Sequence, residues 1–183
     1  MPEWTKQLSD EAACQEGVDI GDQYGTPQEA WDDTNRADYM LWWIHQLTPA
    51  TEDSPEQRKL VECCAAIARL VLPEFERRKP GDSDPKDVLD EADRWARGGR
   101  PLRTLKDKAE KLEPPKGGRK VGLHRRAQAA RDSIDAVGKL AYGMPPHRVV
   151  QHAMNAKSKR ERDEFMEAAA DIVRVHYPTM PLR

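Results

Sequence analysis

The segment Asn35-Arg36-Ala37-Asp38-Tyr39-Met40-Leu41-Trp42-Trp43-Ile44 constrains this chain most. Drawn as a helix, it is apolar nearly all round beyond its first turn, and such a helix needs cover on every side. It must therefore be central. Arg36 and Asp38 stand at its first turn. The carboxylate suits the positive helix start, whereas the guanidinium needs a carboxylate or carbonyl partner there. Two possibilities stay open: a buried network that holds the helix, or a partner-binding spot in which Trp42 or Trp43 is the aromatic anchor.

Helix starts elsewhere are legible. Thr26-Pro27-Gln28-Glu29 and Ser54-Pro55-Glu56-Gln57 each offer a capping hydroxyl, a proline at the first helical position and an acid or amide at the third. Ser158-Lys159-Arg160-Glu161 repeats the box without proline, and Asp84 reads as a weaker cap. Gly17, Pro73, Gly98-Gly99, Gly143 and Pro178 read as stops. Between these marks the apolar spacing is helical: Leu60, Cys63, Cys64, Ile67, Ala68 and Val71 form one stripe. Phe165, Ala169, Ile172, Val173 and His176 form a second, and Leu123, Ala127, Ala130, Ile134, Val137 and Ala141 a third. No run of alternating β-branched residues competes with them. The expected helices lie at about 9–16, 27–33, 35–47, 55–72, 85–97, 101–112, 120–142, 146–156 and 159–176.

These features predict an all-α fold, a single-domain orthogonal bundle of eight or nine helices over residues 1–183. Residues 113–120, with Pro114-Pro115 and Gly117-Gly118, are expected to form a flexible basic connector. The chain has 30 residues of Leu, Ile, Val and Phe, a thin supply that 21 alanines and five tryptophans supplement. There is no apolar run of membrane-spanning length. The opening Met1-Pro2-Glu3-Trp4 has no basic or apolar signal region, and three cysteines do not make a disulfide framework. Both observations lead to the expectation of a cytoplasmic protein.

The net charge of −2 hides a dipolar chain. Residues 1–66 carry 14 acids and 4 bases, whereas residues 94–131 carry 3 acids and 13 bases. The basic stretch either pairs with the acidic opening inside the fold or forms a patch for an acidic partner or phosphate. Trp95 is its single aromatic residue, so the stacking platforms of a single-strand binder are missing. The contact residues that electrostatics nominates are Arg119, Lys120, Arg125 and Arg126.

No catalytic or metal motif stands out. Cys63 and Cys64 are neighbours on a helix, so their side chains diverge, and they read as small core residues. His147 and His152 miss the spacing that places two imidazoles on one helical face, while His45 and His176 read as boundary residues. The segment 81–87 fails as a calcium loop because Lys86 occupies a ligand position and the required glycine is absent. Gly117-Gly118-Arg119-Lys120 lacks the ending of a phosphate-binding loop. The expectation is no enzyme, no metal and no cofactor.

The run Ala13-Cys14-x-x-Gly17, then Ala30-Trp31, then Asn35 to Trp42, resembles the opening of a family of helical immunity proteins. That family is associated with bacterial polymorphic toxin systems and also occurs on phage genomes. Ala68-Arg69-Leu70 with Glu91-Ala92-x-x-Trp95-Ala96-Arg97-Gly98 resembles its middle, and Ala170-Asp171-Ile172-Val173-Arg174 with Tyr177-Pro178 its tail. Pro114 to Arg126 departs from the alanine-rich helices usual there. The resemblance implies a small protein that binds and neutralises another protein, either a toxin or, for a phage, a host defence protein. It nominates Arg36, Asp38, Trp42 and Trp43 as contacts. The alternatives are an accessory nucleic-acid binder that uses residues 94–131 and a phage structural component that self-assembles as a homo-oligomer.

Overall fold

A computed structural model describes residues 2–9, 15–48, 51–99, 101–112, 125–140 and 143–181. Among them the regular elements are eleven helices and no strand: α1 Glu3–Ser9, α2 Gln15–Gly21, α3 Pro27–Asp33, α4 Ala37–Leu47, α5 Pro55–Arg69, α6 Leu72–Glu76, α7 Asp84–Ala96, α8 Leu102–Leu112, α9 Arg125–Lys139, α10 His147–Ala156 and α11 Glu161–His176. The all-α class is as expected, and the count of eight or nine helices is corrected to eleven. The expected connector at 113–120 lies outside the described residues, as do Arg119 and Lys120.

Two local misreadings account for the count. In place of one helix at about 9–16, α1 and α2 lie on either side of residues 10–14. Gly17 is not a stop but lies inside α2, where a Cβ would come 3.1 Å from the Trp42 ring. Its smallness, rather than its backbone freedom, suits the position. Pro73 likewise opens α6 instead of ending α5. A proline in the first helical turn lacks only an N–H that would be unbonded anyway.

The caps formed largely as the sequence indicates. Thr26 Oγ1 accepts from Glu29 N at 3.2 Å, and Glu29 Oε2 accepts from Thr26 N at 3.0 Å, a complete capping box. Ser54 Oγ accepts from Gln57 N at 3.1 Å at the start of α5. Glu161 Oε2 accepts from Ser158 N at 2.8 Å, although α11 itself starts only at Glu161. Asp84 is the first residue of α7 rather than its cap; Ser83 holds that place without a side-chain bond.

Every residue from Ala37 to Ile44 is buried, so α4 is the central helix that its composition requires. Helices α1, α2, α10 and α11 pack on it, and Trp43 meets Trp4 edge-on with ring centroids 5.9 Å apart. Helix α9 packs along α10 and also touches α5, α6, α7 and α8. Its stripe of Ala127, Ala130, Ile134 and Val137 is fully buried, as are Cys63 and Cys64 on α5. A strap joins the distant ends of the chain: Trp31 Nε1 donates to Tyr177 O at 2.9 Å, and Met180 N donates to Gln28 Oε1 at 3.3 Å.

Candidate partner-binding site

The turn between α3 and α4 is fixed before Arg36 is reached. Helix α3 leaves carbonyls unbonded at its C-terminus, and Arg174 of α11 takes two acceptors there: Nε donates to Trp31 O at 3.2 Å and Nη2 to Thr34 O at 2.5 Å. Thr34 Oγ1 accepts from Arg36 N at 3.2 Å. Arg36 occupies the N-cap position of α4 and offers no capping side chain. Its guanidinium instead turns onto the first turn, with Nε donating to Asp38 Oδ1 at 3.0 Å and Nη2 to Asp38 Oδ2 at 2.9 Å. This two-bond fork fixes orientation as well as distance.

Tyr39 completes the arrangement. Its ring centroid lies 4.1 Å from the Arg36 guanidinium carbon, within reach of cation–π attraction. Burial is the first cause that raises the Tyr39 phenol above its ordinary range, and a hydrogen bond to Glu16 of α2 is the second. The hydrogen bond to Asp38 raises Arg36 further still, so it keeps its charge at any physiological pH. A chain of contacts thus runs from Glu16 through Tyr39 and Arg36 to Asp38. The Arg36 side chain is 41% exposed and that of Asp38 only 7%. A permanent cation is therefore presented at the surface with its counter-charge held behind it. It can donate hydrogen bonds to a carboxylate or carbonyl brought up to it.

Trp42 and Trp43 offer no such accessible surface. Both are buried, Trp42 against Gly17 and Trp43 against Trp4. Of the four residues nominated on α4, Arg36 is the one with a substantial accessible surface.

The electrostatic candidates lie elsewhere. Arg125 is exposed, and Arg126 pairs with Glu161 at 3.6 Å. Arg126 and Arg36 thus pair with different carboxylates, Glu161 at the start of α11 and Asp38 in the first turn of α4. Part of the basic stretch faces carboxylates: Arg94–Glu91 at 2.9 Å, Arg97–Glu62 at 3.5 Å and Lys106–Glu52 at 3.2 Å. Arg131 donates to Leu112 O. Internal pairing therefore absorbs several of these cations, and where both partners are exposed, as in Arg97–Glu62, such a pair contributes ~0–1 kcal/mol.

Sequence reasoning placed Arg36 and Asp38 together but missed Tyr39, Glu16 and Arg174. The spacing of Arg36 and Tyr39, three apart at a helix start, could have flagged the stacking. Nothing local signals the reach of Arg174 back to α3. Among the described residues no group of three or more His, Cys, Asp or Glu could hold a metal ion, and no helix is long and apolar enough to cross a membrane.

Residues 51–114 match the family model of an Imm-5 like putative immunity protein. The matched stretch runs from the start of α5 to the end of α8, with all four of those helices inside it. It contains Ala68-Arg69-Leu70 and the Glu91 to Gly98 run on which the resemblance to an immunity family rests in the middle of the chain; the opening and tail runs lie outside it. No curated protein and no solved structure matches the chain.

Within the immunity-like stretch, arginines join α5 to α7. Arg69 Nη2 reaches Asp90 at 3.0 Å and Asp93 at 2.8 Å. Arg58 Nη1 donates to Trp95 O at 3.0 Å, and its guanidinium carbon lies 5.3 Å from the Trp95 ring centroid. These contacts build a scaffold. Arg36, Asp38, Trp42, Trp43, Arg125 and Arg126 all lie outside the matched residues.

Proposed function

We propose that this chain is a non-enzymatic, cytoplasmic, immunity-like protein that inhibits a protein partner by covering it. The match of residues 51–114 to an immunity family is the observation that carries this reading. The partner is a bacterial toxin or, if the chain serves a phage, a host defence protein. Inhibition of this kind needs shape and charge complementarity and no cofactor.

Arg36 is the leading contact, held in place by Asp38 and stacked on the Tyr39 ring. Its half-exposed, fixed guanidinium loses little side-chain freedom on binding, which favours affinity. Arg125, Arg126, Arg119 and Lys120 are a second, separate contact group for acidic surface on the partner.

The test begins with the tagged chain captured from its source cell and the co-purifying protein identified and purified. The activity of that protein is then measured with increasing amounts of the chain. Inhibition that saturates at a fixed stoichiometry is expected; activity unchanged at excess chain contradicts the proposal.

A further inference from the structure

Cations from three separate stretches of the chain meet around two carboxylates. Arg77, the C-cap residue of α6, donates from Nη1 to Glu74 Oε2 at 3.0 Å. Lys157, which follows α10, brings its Nζ to 4.0 Å from the other oxygen of the same carboxylate and donates to Leu70 O at 3.1 Å. The next residue is Ser158, whose N–H donates to Glu161 Oε2 at 2.8 Å, and Arg126 of α9 lies 3.6 Å from that oxygen. A continuous series of contacts therefore ties α6, the α10–α11 turn and the start of α9 into one surface.

The charge on that surface does not balance. Glu74 is buried and shared by two cations. Lys159 and Arg160, between Ser158 and Glu161, are exposed, as is Arg125 beside Arg126. Among the described residues none of Lys159, Arg160 and Arg125 forms an ion pair. Helix α9 opens on Arg125-Arg126 with no acid in its first turn, so its own dipole opposes the charge placed there. A sequence accepts such a local penalty where the charge serves another purpose.

The acids nearby limit what can dock. Helix α11 carries Glu161, Asp163 and Glu164 in its first turn, and the last two are exposed. They interrupt the cations, so a phosphate backbone, negative at every step, meets repulsion there. Among the described residues no aromatic side chain is exposed to stack a base. Separate carboxylates on a protein surface can instead be met one at a time, with guanidinium forks offering paired hydrogen bonds.

We propose that Arg77, Arg125, Arg126, Lys157, Lys159 and Arg160 form a docking face for an acidic protein surface on the partner. This inference rests on the reading of the chain as a protein binder, gives the Arg125–Arg126 pair its neighbours, and uses none of the contacts of Arg36.

Fluorescence anisotropy at about 50 mM salt tests it with two labelled probes, a short peptide of alternating glutamate and serine and a DNA duplex of equal charge. The wild type should bind the peptide more tightly than the duplex, and Arg125→Glu/Lys159→Glu/Arg160→Glu should bind the peptide at least about tenfold more weakly. The equal charge change Lys86→Glu/Arg103→Glu/Lys111→Glu, on α7 and α8, should alter that affinity less than about threefold, because exposed charges beyond a Debye length are screened. No binding of the peptide by the wild type, equal losses in both variants, or tighter binding of the duplex overturns the proposal. Acids near a helix start suit the dipole, so the reversal variant should keep its fold. If circular dichroism shows otherwise, Arg125→Ala/Lys159→Ala/Arg160→Ala takes its place, with a loss of about threefold or more supporting the face and no loss overturning it. Failure of the binder reading shows elsewhere, as unchanged activity of the purified partner, and the peptide assay needs no partner. A partner inhibited equally by the wild type and the reversal variant leaves that reading in place and overturns this one.

Discussion

Gly138 of α9 lies so close to Ala109 of α8 that a Cβ at position 138 would overlap the Cβ of Ala109. The two helix backbones approach each other there because neither residue is large. An alanine in a helix is ordinarily better than glycine by about 1 kcal/mol. Here the sign reverses: Gly138→Ala should destabilise the fold by ~1–3 kcal/mol through overpacking, read by urea denaturation. Ala109→Gly in the same chain should recover part of that loss.

The strap between α3 and the C-terminal residues rests on the Trp31 indole. Trp31→Phe keeps most of the ring volume but leaves the buried Tyr177 carbonyl without its donor. The expected cost is ~1–3 kcal/mol. Hydrogen exchange should show the loss of protection concentrated in α3 and the last turn of α11, two regions far apart in the chain.

Burial raises the thiols of both Cys63 and Cys64 far above their ordinary range, so neither is a thiolate near neutral pH. With Cys14 replaced by serine, the native protein should react with essentially no equivalent of a thiol reagent. In denaturant it should react with both remaining cysteines. Rapid reaction of the native protein would show that α5 is not packed as described.

The hydrogen bond from Lys86 holds the Asp90 carboxyl below its ordinary value, with Arg69 adding to the effect. A depressed folded-state value means that the unfolded chain binds the proton more readily. Asp90 therefore contributes stability that is fully present above the ordinary aspartate value and is lost as pH falls through the depressed one. Asp90→Asn should flatten the acid limb of a melting-temperature profile and leave the neutral region with a constant offset.

How far the sequence spoke depends on where the information lies. The central place of α4 was legible because a helix apolar on every side has no other stable position. The α3 and α5 starts were legible because a capping hydroxyl, a proline and a reciprocal acid or amide lie within four residues. Gly17 misled because its small size serves packing against Trp42, not chain reversal. Pro73 misled because the same residue that forbids helix continuation is welcome in a first turn.

The candidate site was legible in part. Arg36 and Asp38 are two apart, so their pairing is a local matter. Whether Trp42 or Trp43 was core or an aromatic anchor stayed open in the sequence, because a helix apolar on every side carries no polar face to say which side meets solvent; both are buried.

The account's central claim is that the chain works through a displayed surface led by Arg36. It is tested most directly by titration calorimetry of the purified partner against the wild type, Arg36→Ala and Arg125→Ala/Arg126→Ala, with each variant first shown by circular dichroism to keep its helical fold. The account predicts saturable binding by the wild type and a loss of about tenfold or more in affinity for Arg36→Ala, which corresponds to about 1.4 kcal/mol. Unchanged affinity in both variants would contradict it.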